Sequence, residues 1–278
     1  MAKGKLSVFS ILSYIVLVFW AITTIFPFLW VINNSFKSTS EILLNSLSLP
    51  KEISLKNYQQ LGNYGNINMF RGFINSFIIS GSVVLLVLLL SSLASFVLSR
   101  FEIKTGIIKS FFTSAMLVPA FSIVIPALVL FRKIGIGGSH LSLIITQTAL
   151  NLPFAILVLS SFMTTLPKEL EESALIDGAN LLTILFKIIF PLSIPGIITV
   201  AIFVFLWSYN DLFMSMIFIP TRDKQPICVL LSLVSSIYGT NYGAMMAALV
   251  ITIIPVIIIY MLLQEFVIRG LTAGAIKG

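Results

Sequence analysis

The feature that most limits what this chain can fold into is a run of 28 residues without a charge, Gly72 to Ser99. A bilayer core is crossed by about 20 apolar residues in a helix, and this run exceeds that length. Five other stretches are similarly apolar, four uncharged and one with the single Asp211: Ser7–Ile32, Ser110–Phe131, Leu141–Phe162, Leu192–Ile219 and Tyr242–Leu263. Apolar residues make up 58% of the chain and charged ones 10%, against about 25% charged in ordinary soluble domains. One soluble core could not cover 23 phenylalanines and their apolar neighbours in 278 residues. The reading is an all-α polytopic membrane protein with six transmembrane helices. Ser7–Ile32 follows Lys3 and Lys5, yet it is too long for a signal core and no small-residue cleavage pattern follows, so it counts as a span.

Charge and cysteine content exclude several function classes. The net charge of +7 is spread over the ends of apolar segments, which marks membrane topology rather than a nucleic-acid face. Cys228 is the only cysteine and His140 the only histidine, so no internal disulfide and no metal site is expected. No Gly-rich phosphate loop ending in Lys-Ser or Lys-Thr is present, so an ATPase, if ATP drives this protein, is a separate chain. No catalytic residue is expected. With the N-terminus inside, nine Lys and Arg fall inside and eight outside, a bias too small to orient the chain.

Inside the spans, polar residues and prolines stand out. Pro27 predicts a kink in span one. Pro119 and Pro126 in span three leave backbone groups that neighbouring helices or cavity water must satisfy. Span four carries Thr146, Gln147, Thr148 and Asn151 just before Pro153. Gln147 and Asn151 are four apart and share a face, to line a cavity or to bond helix to helix. Span five is interrupted by Trp207-Ser208-Tyr209-Asn210-Asp211. A carboxylate at a span's centre costs about 2.5–3.5 kcal/mol, so Asp211 should face a cavity or a partner. Trp207, Tyr209 and Asn210 beside it have the ring-plus-amide character of sugar sites. In the competing reading Asp211 lies near an interface, bonded to helix ends, with Trp207 and Tyr209 as belt residues. Two polar segments, Asn33–Arg71 and Pro220–Asn241, form exterior loops.

The most polar long stretch is Leu166–Pro195. Pro167 suits a first helical position, and Glu169, Glu171 and Glu172 suit the positive end of a helix dipole. Leu170, Ala174 and Asp177 share one face. Gly178 is placed to end the helix with a positive φ. A second helix should restart at Ala179, carry Leu181, Leu182, Ile184 and Leu185, and stop before Pro191. Periodicity alone describes an amphipathic helix resting on headgroups.

The residues themselves carry a pattern. Glu172-Ser173-Ala174, three residues, Gly178, nine residues, Ile188, one residue, Phe190-Pro191 resembles the EAA loop of ABC-importer permeases, departing from it at Ser173 and Phe190. Asp177-Gly178-Ala179 resembles the sugar-importing branch. Asn57-Tyr58 and Phe70–Ser76 resemble its extracellular lead-in. The terminal Gly270-Leu271-Thr272-Ala273-Gly274-Ala275-Ile276-Lys277-Gly278 resembles the tail of the smaller maltose-type permease subunits. The resemblance implies a type I ABC importer fold. It implies a coupling helix at Glu172, Ser173, Ala174, Asp177, Gly178 and Ala179. It implies an ATPase-contacting tail at Gly270, Thr272, Gly274 and Lys277. Trp207, Tyr209, Asn210, Asp211, Gln147 and Asn151 are the candidate substrate pathway.

Residues 1–69 are then a first span with an exterior loop, 70–265 a five-helix core, and 266–278 a cytoplasmic tail. The implied partners are a second homologous permease, two ABC ATPase subunits, an extracellular sugar-binding protein, the sugar and membrane lipid, with no nucleic acid. The chain itself holds no cofactor; ATP and Mg belong to the ATPases. Both termini lie in the cytoplasm of a cell-membrane protein. An importer of a non-sugar solute, a secondary transporter, and a receptor or structural membrane protein are the competing readings.

Overall fold

The computed structural model describes residues 8–62, 68–101, 105–233, 239 and 241–275. Lys3, Lys5, Glu102, Lys104, Tyr238 and Lys277 lie outside the described residues. Every regular element described is a helix. Four helices are long and apolar enough to cross a membrane singly: α1 (Val8–Ser35), α4 (Met69–Arg100), α7 (His140–Thr164) and the last helix, α14 (Tyr242–Ala275). Two bent helix pairs bring the spans to six where each pair counts as one span. The chain falls into two units, residues 1–69 with 231–253, and residues 70–230 with 254–278.

In the first unit, α1 has no buried residue in its apolar window; its side chains face outward all round, as suits contact with lipid. After it come α2 (Thr39–Leu44) and α3 (Lys56–Gln60), so the segment expected as a loop contains two short helices. Ser38 caps α2 by accepting from the Glu41 N–H at 3.3 Å. Lys37 is 1% exposed. Its Nζ donates to the carbonyls of Asn45 and Ser46 at 3.2 and 3.4 Å and to Ser48 Oγ at 3.3 Å. A buried ammonium persists only when such acceptors replace water. Asn57 Nδ2 donates to the Ser35 and Lys37 carbonyls at 2.7 and 2.9 Å, tying α3 to the foot of α1.

The second unit is a helical core. Ile79, Val83 and Val87, spaced four apart on α4, pack against Leu143, Ala155 and Leu159 of α7 and Ile197, Val200 and Val204 of α11 (Ile194–Tyr209). Small residues let these helices approach: Ser91, Ser92 and Ser95 are buried, and Ser95 Oγ donates across to the Ile156 carbonyl at 3.0 Å.

Three expectations change. Span three, expected over Ser110–Phe131, begins earlier and is broken. It is α5 (Thr105–Met116), a 3-10 turn (Ala120–Ile123) and α6 (Val124–Lys133), bent by 86°. Pro119 cannot donate a helical hydrogen bond and holds its preceding residue out of the α region, so the break falls there. Pro126 sits two residues inside α6, where a missing N–H is harmless.

The second correction concerns Pro191. The helix after Gly178 runs through it, as α9 (Leu181–Ile184), a π turn (Leu185–Ile189) and α10 (Phe190–Leu192). A π turn widens the backbone ladder just before the proline ring, where an α-turn would clash. The break comes instead at buried Ser193, with a 76° bend into α11. Trp207 and Tyr209 complete α11; the interruption is Asn210–Leu212, before α12 (Phe213–Phe218). A 3-10 turn (Arg222–Lys224) and α13 (Ile227–Ser232) follow.

The third is span six. Its helix does not stop at Leu263 but continues to Ala275. At 1.5 Å per residue this helix is about 51 Å long, well beyond a hydrocarbon core of about 30 Å.

Candidate functional site

Two places gather the predicted residues. The first is α8 (Glu169–Ile176) between α7 and α9. Lys168 is its N-cap, so Pro167 lies before the cap rather than at the first helical position. Glu169, Glu171 and Glu172 occupy its first turn, where unpaired backbone N–H groups favour anions. Asp177 is the C-cap and Gly178 follows at φ +82°. The Gly178 N–H donates to the Leu175 carbonyl at 3.0 Å and the Ala179 N–H to the Ala174 carbonyl at 2.9 Å. That pair of bonds is a Schellman end, which needs a left-handed residue where Gly178 stands. The chain restarts at Leu181, not Ala179, because Asn180 caps α9 by accepting from the Thr183 N–H at 2.8 Å.

The two faces of α8 differ. Ala174, Ala179 and Leu166 pack against buried Phe96, Met163, Ile184, Leu185 and Ile189. Glu172, Ser173, Leu175, Ile176 and Asp177 are exposed, Ile176 at 87%. An exposed apolar side chain among acids on a two-turn helix is a surface suited to contact with another protein.

Sequence reasoning missed the ion pair behind α8. Arg100 Nε, at the end of α4, lies 2.5 Å from Glu171 Oε1, with side chains 6% and 12% exposed. Burial pushes the Glu171 carboxyl up from its ordinary value, and the Arg100 guanidinium opposes that rise. No linear spacing links these two positions.

The second place is a cleft of about 500 Å3 in the second unit. Gln147, Asn151, Trp207, Asn210 and Asp211 line it, together with Phe121 and Phe213, whose rings meet edge-on at 4.7 Å. Asp211 is held from two sides: Gln147 Nε2 donates to Oδ2 at 2.7 Å, and the Met214 N–H donates to Oδ1 at 3.2 Å. Ser208 Oγ donates to Gln147 Oε1 at 2.5 Å, so α7 and the end of α11 are latched together. The Cys228 thiol donates to the Asp211 carbonyl at 3.1 Å.

Asp211 therefore bonds the first turn of α12 and span four, while still lining the cleft. Asn151 Nδ2 and Asn210 Nδ2 donate to the Gln147 and Leu206 carbonyls, and both residues line the cleft. Trp207 is half exposed there and packs edge-on against Phe154 at 4.8 Å. Tyr209 is placed elsewhere. It is 1% exposed, stacked on Phe205 at 5.4 Å and edge-on to Phe77 at 5.9 Å, and does not line the cleft. Sequence reasoning missed Phe121, whose one sequence signal is its place two residues after Pro119. Gly270, Thr272 and Gly274 lie on the backbone of α14.

Several apolar helices, an exposed capped helix between two of them and a mostly apolar cleft edged by Gln147, Asn151, Asn210 and Asp211 fit a membrane permease component. Residues 88–273 match the family described as binding-protein-dependent transport system inner membrane component, and the chain belongs to that family. It is 33% identical over 272 residues to the diacetylchitobiose uptake system permease protein NgcG of Streptomyces coelicolor, covering 97% of this chain and 89% of that one. It is 32% identical over 270 residues to the trehalose/maltose transport system permease protein MalG of Thermococcus litoralis, covering 96% and 97%. A crystal structure of a bacterial ABC transporter involved in import of the acidic polysaccharide alginate has a chain of the same fold. Its TM-score is 0.81 at 21% identity, over 95% of this chain and 98% of that chain. The fold is that of type I ABC importers, and the protein is a multi-pass inner membrane component of an ABC transporter.

Proposed function

We propose that this chain is one permease subunit of an ATP-driven, binding-protein-dependent importer of oligosaccharide. The observation that carries the proposal is α8 with its glycine end. An exposed Glu172–Asp177 face closes on a Schellman turn at Gly178, and Ile188 and Phe190-Pro191 follow at the EAA spacing. The uptake systems named for diacetylchitobiose and for trehalose and maltose support the sugar assignment. So do the aromatic and amide side chains that line the cleft, whose volume suits a small-molecule site.

In this reading Glu172 through Ala179 docks on a separate ATPase subunit, which holds the ATP and Mg. Closure of two such ATPases pushes α8. Because α8 is packed on the feet of the spans, the push turns them rather than bending the loop. A second, homologous permease completes the pathway. A binding protein delivers the sugar from outside, where Asn33–Arg71 and Pro220–Asn241 lie. Both termini are cytoplasmic, and α14 through Gly270, Thr272 and Gly274 carries the chain toward the ATPases, which Lys277 also contacts. Trp207, Asn151, Asn210 and Asp211 line the sugar's route, and Gln147 positions Asp211. Residues 1–69, 70–265 and 266–278 serve as first span with exterior loop, core and tail.

The test is reconstitution of this chain with its partner permease, ATPases and binding protein in vesicles. ATP-dependent uptake of a labelled oligosaccharide is expected. A complex that accumulates sugar without ATP, or a binding protein that loads only a non-sugar solute, contradicts the proposal.

A further inference from the structure

Chain continuity ties α8 to only two spans. Residues 165–168 join it to α7, and residues 177–180 join it to α9 and, through the bend at Ser193, to α11. Span two, α4, has no such link; its last residue precedes Glu171 by a full span and more of sequence. Yet the foot of α4 reaches α8 at two points. Phe96 enters the apolar cluster with Met163, Ile184, Leu185 and Ile189. One turn further on, Arg100 pairs with Glu171 and turns Nη2 toward the Leu166 carbonyl at 3.5 Å.

The two contacts are mechanically different. Apolar packing resists compression, but it carries no directional bond and so holds two elements less firmly against shear. A buried ion pair does not slide: separating it leaves an uncompensated charge out of water. Both partners here are almost fully buried, and Arg100 Nη1 has no hydrogen-bond partner among the described residues. Arg100 therefore depends on Glu171 for its charge compensation. Neighbouring Glu172 is exposed, about 100° further round the helix. Consecutive glutamates thus divide the work, with Glu172 facing outward and Glu171 facing inward to span two.

We propose that the Arg100–Glu171 ion pair is a rigid joint that carries displacement of α8 into α4, so that three spans move with it instead of two. Arg100 and Glu171 are positioning residues for transport, and the inference rests on the reading of α8 as the ATPase-docking helix. The joint transmits strain without touching sugar or nucleotide. Its loss changes how much transport each ATP drives, not whether ATP is hydrolysed.

The experiment uses the whole complex in vesicles with R100Q, E171Q and R100Q/E171Q. Complex assembly, ATP hydrolysis stimulated by loaded binding protein, and sugar taken up per ATP are measured together. Each single variant is expected to hydrolyse ATP but to lower sugar per ATP about fivefold or more. The double variant is expected to be no worse than the poorer single, because it removes the stranded charge along with the pair. An unchanged ratio in both singles, or losses that multiply in the double, overturns the joint. If a single variant fails to assemble, restoration by the double supports the pair, and continued failure of the double overturns it. Glu172→Lys in the same complex separates the two layers. If it leaves uptake untouched, the docking reading fails; if it uncouples while the Arg100 and Glu171 variants do not, only the joint fails.

Discussion

Replacing Gly178 isolates one physical quantity at the elbow. Its φ is +82°, and a Cβ built there meets nothing within 4 Å. The cost of a side chain at this position is therefore backbone cost alone. For alanine in the left-handed region that is about 1–2 kcal/mol. Since 1.4 kcal/mol is tenfold in an equilibrium constant, Gly178→Ala should cut the population of correctly ended α8 about five- to thirtyfold relative to alternatives. Gly178→Asn should lose less, because its amide tolerates this conformation. Gly178→Pro is worst: it fixes φ near −65° and deletes the N–H that donates to Leu175. Uptake and ATP hydrolysis in reconstituted vesicles should follow the order Gly, Asn, Ala, Pro. Proline should leave assembly partial and hydrolysis detached from uptake. Equal uptake by Gly178→Pro and wild type would refute the reasoning, as would an Ala variant as active as Gly beside an impaired Asn.

Other perturbations probe the rest of the fold. A Cβ on Gly196 would lie 2.9 Å from Phe162 Cγ, so Gly196→Ala should lower the melting temperature of the purified complex by the equivalent of about 1–3 kcal/mol; an unshifted melt contradicts this packing. A Cβ on Gly243 would lie 2.6 Å from both Asn57 Nδ2 and the Lys37 carbonyl. Gly243→Ala should break the bridge from Asn57 to Ser35 and Lys37, seen as faster amide exchange over residues 35–57. Asp211→Ala and Gln147→Ala should each cost about 1–3 kcal/mol by stranding a buried partner, and their double variant should cost less than the sum in a denaturation cycle. Trp207→Ala should reduce sugar uptake several-fold with ATP hydrolysis intact, since its ring lines the cleft; full uptake would remove the cleft from the sugar's route.

The six spans were legible because a bilayer writes its demand into composition: about 20 apolar residues without charge have few other uses. The end of α8 was equally legible, since a left-handed turn demands glycine and Gly178 stood at the right offset. The bends were not. Pro119 does break its span and Pro191 does not, though both look alike in sequence; the difference lies in the π turn at Leu185–Ile189, a backbone choice with no residue signature. The onset of α8 was read one cap too early because Pro167 fits outside the helix as well as inside it.

At the cleft, residue types were readable and orientations were not. Trp207 and Tyr209 are two apart on one helix, so one faces the cavity and the other is stacked against Phe205. Asp211 satisfies parts of both sequence readings, bonding a helix end and lining a cavity. The Arg100–Glu171 pair was invisible because it joins elements distant in sequence, and only packing brings them together.

The central claim is that the elbow from Glu172 to Gly178 faces the cytosol and is gripped by an ATPase. Ser173→Cys in a Cys228→Ser background tests it most directly, because Ser173 is exposed on α8 and Cys228 is the chain's other thiol. Labelling with a membrane-impermeant thiol reagent in intact cells and in inside-out vesicles, with and without the ATPase, reads both orientation and contact. The account predicts no labelling in cells, labelling in stripped inside-out vesicles, and protection when the ATPase is bound. Labelling of intact cells, or equal labelling with and without the ATPase, would contradict it.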